Sequence, residues 1–507
     1  MELWFIILIS ISISLLLKAT INLFSPSGNL LPPGPRTFPI IGTFLWLRIP
    51  PIKIKAILRS LHSKLGPIIT LQIGARPTIF ISDRSLVHKV LVQNGAVFAD
   101  RPSATTTVKV STCNQHNINS SSYGPTWRAL RRNLTEQILH PCRVKNYSHA
   151  RKWVLDILLD SFKLNLSTGE PVSVMDNFQY AMFCLLLLMC FGDKLDKKQI
   201  KEIEFIHQKN LLNFHRFNVL NFWPRLMKIL MRWQEFHELN QETENVLLPL
   251  IRARKESRNS DSNDEHVSSY VDSLLELELP EENNPKLHER EIVALCSEFL
   301  SAGTDTTSTA VQWIMANLVK NQETQDKLFT EIKSVVVDDE EEVKEEVLPK
   351  MPYLKAIALE GLRRHPPGHF LLPHAVTKDF VLNGHVLPKN ATTNFVVAEM
   401  GWDPKVWDNP MEFKPERFLK DNKVFDITGS REIKMMPFGV GRRICPARGL
   451  AMLHLEYFVA NLIWNFKWEA VHGDEISLEE KEAFTVVMKH PLMARISPRF
   501  VIHQPQS

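Results

Sequence analysis

The chain has 507 residues, 44% hydrophobic and 23% charged, which provides for a large packed core and excludes a disordered chain. A formal net charge of +4 is too small to point to nucleic acid. Six scattered cysteines without a CxxC pair exclude a disulfide framework and a cysteine-rich zinc site, and fit a reducing, cytosol-facing environment.

Leu3 to Leu17 is an unbroken run of apolar residues and serines, and Ala19 to Phe24 extends it past Lys18. About 22 such residues suffice to cross a hydrocarbon layer of roughly 30 Å. Glu2 stands where a signal peptide would carry a basic region, and no A-x-A site follows, so residues 1–24 read as an uncleaved anchor. Eight Lys or Arg and no Asp or Glu lie between Leu3 and Ser82, which predicts that the body stays in the cytosol. Pro32-Pro33-Gly34-Pro35 stiffens a hinge over residues 25–37, and residues 38–507 read as one cytosol-facing body.

Apolar spacing predicts a helix over Ile52–Leu65. Ile68–Ile73 and Thr78–Ile81 flank Gly74-Ala75-Arg76-Pro77, which reads as a hairpin. Ala99-Asp100-Arg101-Pro102 ends the next helical segment, and Ser103–Ser122 reads as a long loop of the kind that carries binding. Thr126–Leu139 is a basic helix in which Trp127 and Arg131 share one face. Ala181–Phe191 is apolar throughout and predicts a buried helix. Leu211–Trp233 is aromatic and basic, and reads equally as an ordinary amphipathic helix pair or as a surface that meets membrane or substrate. Glu256–Ser269 and the acidic run Asp338–Glu346 read as solvated segments.

Glu291–Lys320 predicts a long helix interrupted in propensity by Ala302-Gly303-Thr304-Asp305-Thr306-Thr307. Such a local conflict marks a place where function sets the residues. The small residues leave room for a diatomic molecule, Thr306 offers it a hydroxyl, and Asp305 can relay protons. Tyr353–Arg364 is helical and puts Glu360 and Arg363 on one face. His365-Pro366-Pro367 stops that helix, and His374 and Phe413-Lys414-Pro415-Glu416-Arg417-Phe418 follow.

The next stretch, Pro437 to Ala447, sets a lone Cys445 between Gly439 and Gly441 on one side and Pro446 on the other. Pro446 suits the first position of a helix. The N–H groups and dipole of such a helix start favour the thiolate that ligates metal. One cysteine cannot complete a tetrahedral zinc site, whereas a single thiolate suits haem iron.

Phe438, Gly441, Arg443 and Cys445 match the Phe-x-x-Gly-x-Arg-x-Cys signature of the cytochrome P-450 family, which this chain resembles from its anchor onwards. The segment Ala302–Thr307 matches that family's oxygen-helix pattern, and Pro32–Pro35 with Pro415–Phe418 looks most like its plant microsomal branch. The family usually has glycine where Ala447 stands. The resemblance implies a mainly α fold with a small β-rich region, and haem between the long oxygen-binding helix and the cysteine loop. It implies that haem b (iron protoporphyrin IX) takes Cys445 as iron ligand beside Phe438. Trp127, Arg131, His374 and Arg443 are implied to hold the propionates. Glu360, Arg363 and Arg417 are implied to form a buried structural triad. Phe370–Leu372 and Phe484–Met488 occupy family positions that touch substrate, and their apolar character suits a lipophilic molecule.

The implied reaction is insertion of one oxygen atom from O2, with Asp305 and Thr306 handling protons. Gly439-Val440-Gly441 is not a dinucleotide loop, because Ile444 takes the place of its last glycine. Electrons are therefore expected from NADPH through a separate reductase, docked in part by Arg128, Arg132 and Arg442. The implied setting is the endoplasmic reticulum membrane, crossed once by the anchor in contact with lipid. Three other readings are an O2-independent haem-thiolate isomerase or dehydratase, a non-catalytic haem-binding protein, and an anchored scaffold without cofactor.

Overall fold

The computed structural model describes residues 31–35, 46, 51–73, 76–213, 232–260, 268–280, 286–336, 342–420, 424–471 and 475–500, with isolated positions at Trp4, Ser10, Ile13 and Ser14. The anchor is otherwise outside the described residues. So are the hinge beyond residues 31–35, the hairpin turn at residues 74–75 and most of the aromatic segment after Asn213. In chain order the elements used below are α1 (Pro51–Leu65), β1 (Ile68–Ile73), β2 (Arg76–Ile81), α2 (Pro125–Asn133), α3 (Val174–Phe191), α4 (Lys197–Asn213), α5 (Glu289–Lys320), α6 (Pro352–Arg364), β3 (His374–Ala375), β4 (Thr392–Phe395) and α7 (Arg448–Asn465).

The chain forms two compact units. The smaller comprises Met1–Pro102, His369–Asp403 and Asp426–Ile444, and the larger comprises Ser103–Gly368, Pro404–Phe425 and Cys445–Ser507. The smaller holds a four-stranded sheet in the order β1-β2-β4-β3. β1 and β2 pair antiparallel from Ile68↔Ile81 to Ile73↔Arg76, so the second strand begins two residues earlier than predicted and takes in Pro77. Proline is tolerated this close to a strand's start. Alternation splits the strand residues between two cores. Ile79 and Ile81 pack with Val87, Val90, Phe98 and Phe395, whereas Phe80 joins Ile69, Leu71 and Leu58 beneath α1. Pro32 is buried and the Pro33 carbonyl accepts from the Thr70 N–H at 2.9 Å, so the proline segment is strapped to β1.

The larger unit is built around α5. A capping box closes its start, with the His288 N–H donating to Glu291 Oε2 at 2.7 Å. Residues Thr307 to Val319 are buried without exception, which explains how a threonine-rich segment stays helical: packing overrides propensity. α3 crosses α5 closely at Gly303, where a Cβ would lie 2.6 Å from Leu186 Cδ1. α3 is apolar and long enough to cross a membrane, but 72% of it is buried inside the protein, including Cys184 and Cys190.

Three expectations need correction. The 103–122 loop contains a short helix, Thr106–Ser111, and then three successive left-handed residues, Cys113, Asn114 and Gln115. The end of the acidic run is only partly solvated: Glu346 is exposed, but two of its other carboxylates are drawn into the fold. Glu345 pairs with fully buried Arg151 at 2.5 Å, and Glu342 accepts from the Tyr457 hydroxyl. The helix after Cys445 begins at Arg448, with Ala447 as its N-cap, rather than at Pro446.

Candidate active site

The cysteine loop turns twice through left-handed glycines, Gly439 at φ 69° and Gly441 at φ 73°. Gly441 has no alternative, since a Cβ there would stand 2.0 Å from the Leu91 carbonyl oxygen. Ala447 sits at φ −87°, ordinary for an L-residue, so its backbone does not require glycine. Cys445 remains partly open. Its thiol is nonetheless surrounded closely enough that burial pushes its pKa up, against the Ala447 N–H and the positive charges of Arg131 and Arg448. The expectation that the helix start alone would favour thiolate is therefore reversed: desolvation outweighs it. A cation bound at sulfur would restore the anion. Among the described residues no three His, Cys, Asp or Glu side chains could together hold a metal ion. A metal at this single thiol would have to arrive with its other ligands, as it does in haem.

α5 supplies the second feature. Its buried surface opens midway, where Ala302 is exposed and Ser301, Gly303 and Thr306 are partly so, while Thr304 and Asp305 are covered. The small side chains leave that face free of bulk. Thr306 Oγ1 donates to the Ala302 carbonyl at 2.6 Å, leaving its oxygen as an acceptor toward the open side. Asp305 points instead into the larger unit, where Oδ1 accepts from Gln179 Nε2 at 3.0 Å and Oδ2 lies 3.8 Å from His207 Nε2. Half-buried Cys445 in the field of Arg131 and Arg448, and a helix cleared of bulk, are chemically suited to a cofactor that would take one thiolate ligand.

The other site residues fall in both units. In the larger, Trp127 is 5% exposed and donates through Nε1 to the Ile118 carbonyl at 3.1 Å. The Arg131 guanidinium lies 6.0 Å from the Trp127 ring centroid and within the field of Cys445. In the smaller, Arg443 Nε donates to the Ala99 carbonyl at 2.7 Å, and Phe438 is half-buried. His374 is buried and donates from Nδ1 to the Phe98 carbonyl at 2.6 Å. Burial, aided by Arg101, lowers its pKa to about 3. In this neutral form Nε2 is an acceptor, so bonding a carboxylate there requires the imidazolium.

Glu360, Arg363 and Arg417 come together in the larger unit. Arg363 and Glu360 have no exposed side-chain surface and pair through two bonds of 2.7 and 2.8 Å. Arg417 Nε reaches the same carboxylate at 3.1 Å. The outer nitrogens of both arginines donate to the carbonyls of Asp408, Pro410 and Glu412. The triad thus pins the segment before the cysteine loop to α6.

The cytochrome P450 family model matches residues 32–496. The chain belongs to the cytochrome P-450 family. It is similar to cytochrome P450 89A9 of Arabidopsis thaliana, 50% identical with 98% of each chain covered. It is also similar to germacrene A acid 8-beta-hydroxylase of Helianthus annuus, 30% identical over 97% of this chain and 98% of that one. A solved zebra fish cytochrome P450 with progesterone shares the fold, with a TM-score of 0.76 at 21% identity, covering 89% of this chain and all of that one. The fold is therefore the mainly helical P-450 fold, and the protein is a monooxygenase.

Sequence reading of this P-450 missed the partners of Asp305. Gln179 and His207 lie 126 and 98 positions before it and carry no local signal, because packing of α3 and α4 alone brings them near. It also missed Glu298, whose carboxylate accepts the N–H groups of Ile118 and Asn119 and ties the long loop to α5.

Proposed function

We propose that this P-450 inserts one oxygen atom from O2 into a lipophilic small molecule, by hydroxylation or epoxidation, with haem b held through Cys445. The observation that carries the reading is half-buried Cys445, set in the field of Arg131 and Arg448 and bonded by the Ala447 N–H, in a chain without another metal-binding cluster among its described residues. Thiolate-ligated haem supplies reductive activation of dioxygen. The protein's part is to hold, orient and protonate. Arg131 and Arg448 offset negative charge at the Cys445 sulfur. Thr306 Oγ1 accepts a hydrogen bond on the open face of α5, and donates there once it releases the Ala302 carbonyl. Asp305 carries protons toward Thr306.

By motif, Trp127, Arg131, His374 and Arg443 hold the propionates; a propionate's own charge would favour the imidazolium that His374 needs to donate. Phe370–Leu372 and Phe484–Met488 touch substrate by motif, and their apolar character suits a lipophilic molecule. Electrons come from NADPH through a separate reductase, for which Arg128 and Arg132 offer exposed charge. Residues 1–24 anchor the enzyme in the endoplasmic reticulum membrane with residues 38–507 in the cytosol. The test is the absorption of the dithionite-reduced protein with carbon monoxide. A strongly red-shifted Soret band, lost in Cys445→Ala, is expected. A folded wild-type protein that takes up haem without that band would refute thiolate ligation by Cys445.

A further inference from the structure

Asp305 needs a source of protons, and its surroundings name one. Gln179 Nε2 occupies Oδ1 and so fixes the carboxylate's rotation. That leaves Oδ2 buried with no hydrogen-bond partner, facing His207 Nε2, which is also buried with none. Two such atoms side by side, a carboxylate oxygen and a ring nitrogen, require explanation in a packed interior. Their 3.8 Å separation is just beyond hydrogen-bond length and closes with a small side-chain rotation. Phe183 packs on the imidazole, with ring centroids 5.3 Å apart, and restricts its swing. Each side chain keeps 9% of its surface exposed, and since Nε2 and Oδ2 have none, that contact with water lies on other atoms. Glu204, one turn earlier on α4, also acts on His207; its carboxyl is raised by burial, with Lys201 and Asp176 in its field. Thr306 is not the source, since its one proton is committed to the Ala302 carbonyl.

We propose that His207 is the proton donor that reloads Asp305 during turnover, a role resting on the reading of Asp305 as the relay. The Nε2–H bond of the His207 imidazolium breaks as an Oδ2–H bond forms, leaving the neutral ring; no electrons change hands, and Nε2 regains its proton from bulk water when the side chain turns out of the pair. His207 thus acts through Asp305 as a positioning and supply residue.

Two readouts test this. In the carbon-monoxide-bound ferrous holoenzyme labelled with 15N-histidine, the His207 ring resonance is identified by its loss in His207→Gln. It is expected to move in Asp305→Asn; an unmoved resonance overturns the pairing. In the second, NADPH oxidation is followed with reductase and no added substrate, in water and in deuterium oxide. His207→Gln is expected to slow it on the order of tenfold or more and to enlarge the solvent isotope effect, with the carbon monoxide spectrum unchanged. His207→Asn replaces it if the glutamine variant loses that spectrum. A wild-type rate and isotope effect in the histidine variant, beside a slowed Asp305→Asn, overturns the role of His207 alone. A wild-type rate in Asp305→Asn overturns the relay reading itself.

Discussion

Replacing Glu360 with alanine isolates what the buried triad contributes. Its carboxylate accepts four bonds, two from Arg363, one from Arg417 Nε and one from the Lys414 N–H at 2.7 Å. Neither Glu360 nor Arg363 exposes any side chain, and Arg417 exposes 6% of its own. Glu360→Ala therefore strands two guanidinium groups away from water. Breaking a buried pair by removing one partner costs about 3–5 kcal/mol. That is a large share of the roughly 5–15 kcal/mol by which a domain is stable. Arg417→Lys keeps the charge but loses the fork that reaches the Asp408 and Glu412 carbonyls, and should cost about 1–2 kcal/mol. Urea unfolding followed by tryptophan fluorescence reads both values. Replacing all three residues by leucine or methionine should recover much of the loss, since the cost lies in the unpaired charge. A shift within about 0.5 kcal/mol for Glu360→Ala, the range of ordinary surface changes, would show that the triad holds nothing.

His454 is buried with Nε2 unpaired, and burial lowers its pKa to about 3. The unfolded chain then binds the extra proton first, so stability should fall as pH drops from about 6.5 toward 3, by ~2 kcal/mol at pH 5; His454→Leu should flatten that slope in unfolding at pH 7.5 and 5. Gly441→Ala should yield protein without haem, read from the Soret to protein absorbance ratio, because a methyl cannot fit against the Leu91 carbonyl. Gly449→Ala, which meets nothing within 4 Å on the first turn of α7, should keep haem and gain about 0.5–1 kcal/mol. Arg132→Glu should slow reductase-supported reduction measured by stopped flow, with haem content unchanged; unchanged reduction removes Arg132 from the docking face.

Local chemistry determined much of this protein before any folding. The Phe438–Cys445 spacing, the small residues of Ala302–Thr307 and the paired charges at Glu360 and Arg363 belong to short segments, where neighbours along the chain set conformation. The strand alternation of Ile79, Phe80 and Ile81 likewise follows from a period of two, whereas the two cores those faces join are seen only in the folded protein. What the sequence could not determine depends on atoms brought together from far along the chain. The ionisation of Cys445 is one case. The N–H group of Ala447 is local and favours thiolate, but the burial that pushes the thiol's pKa up is set by the fold. The acidic run is another, since only the fold supplies buried Arg151 to Glu345 across 194 positions. Asp305 is the third: its place in the motif was legible, but its direction was not, because Gln179 and His207 reach it only when α3 and α4 pack on α5. Propensity and spacing act over a few residues, whereas burial and charge pairing act through space, so their outcome is decided only by the tertiary structure.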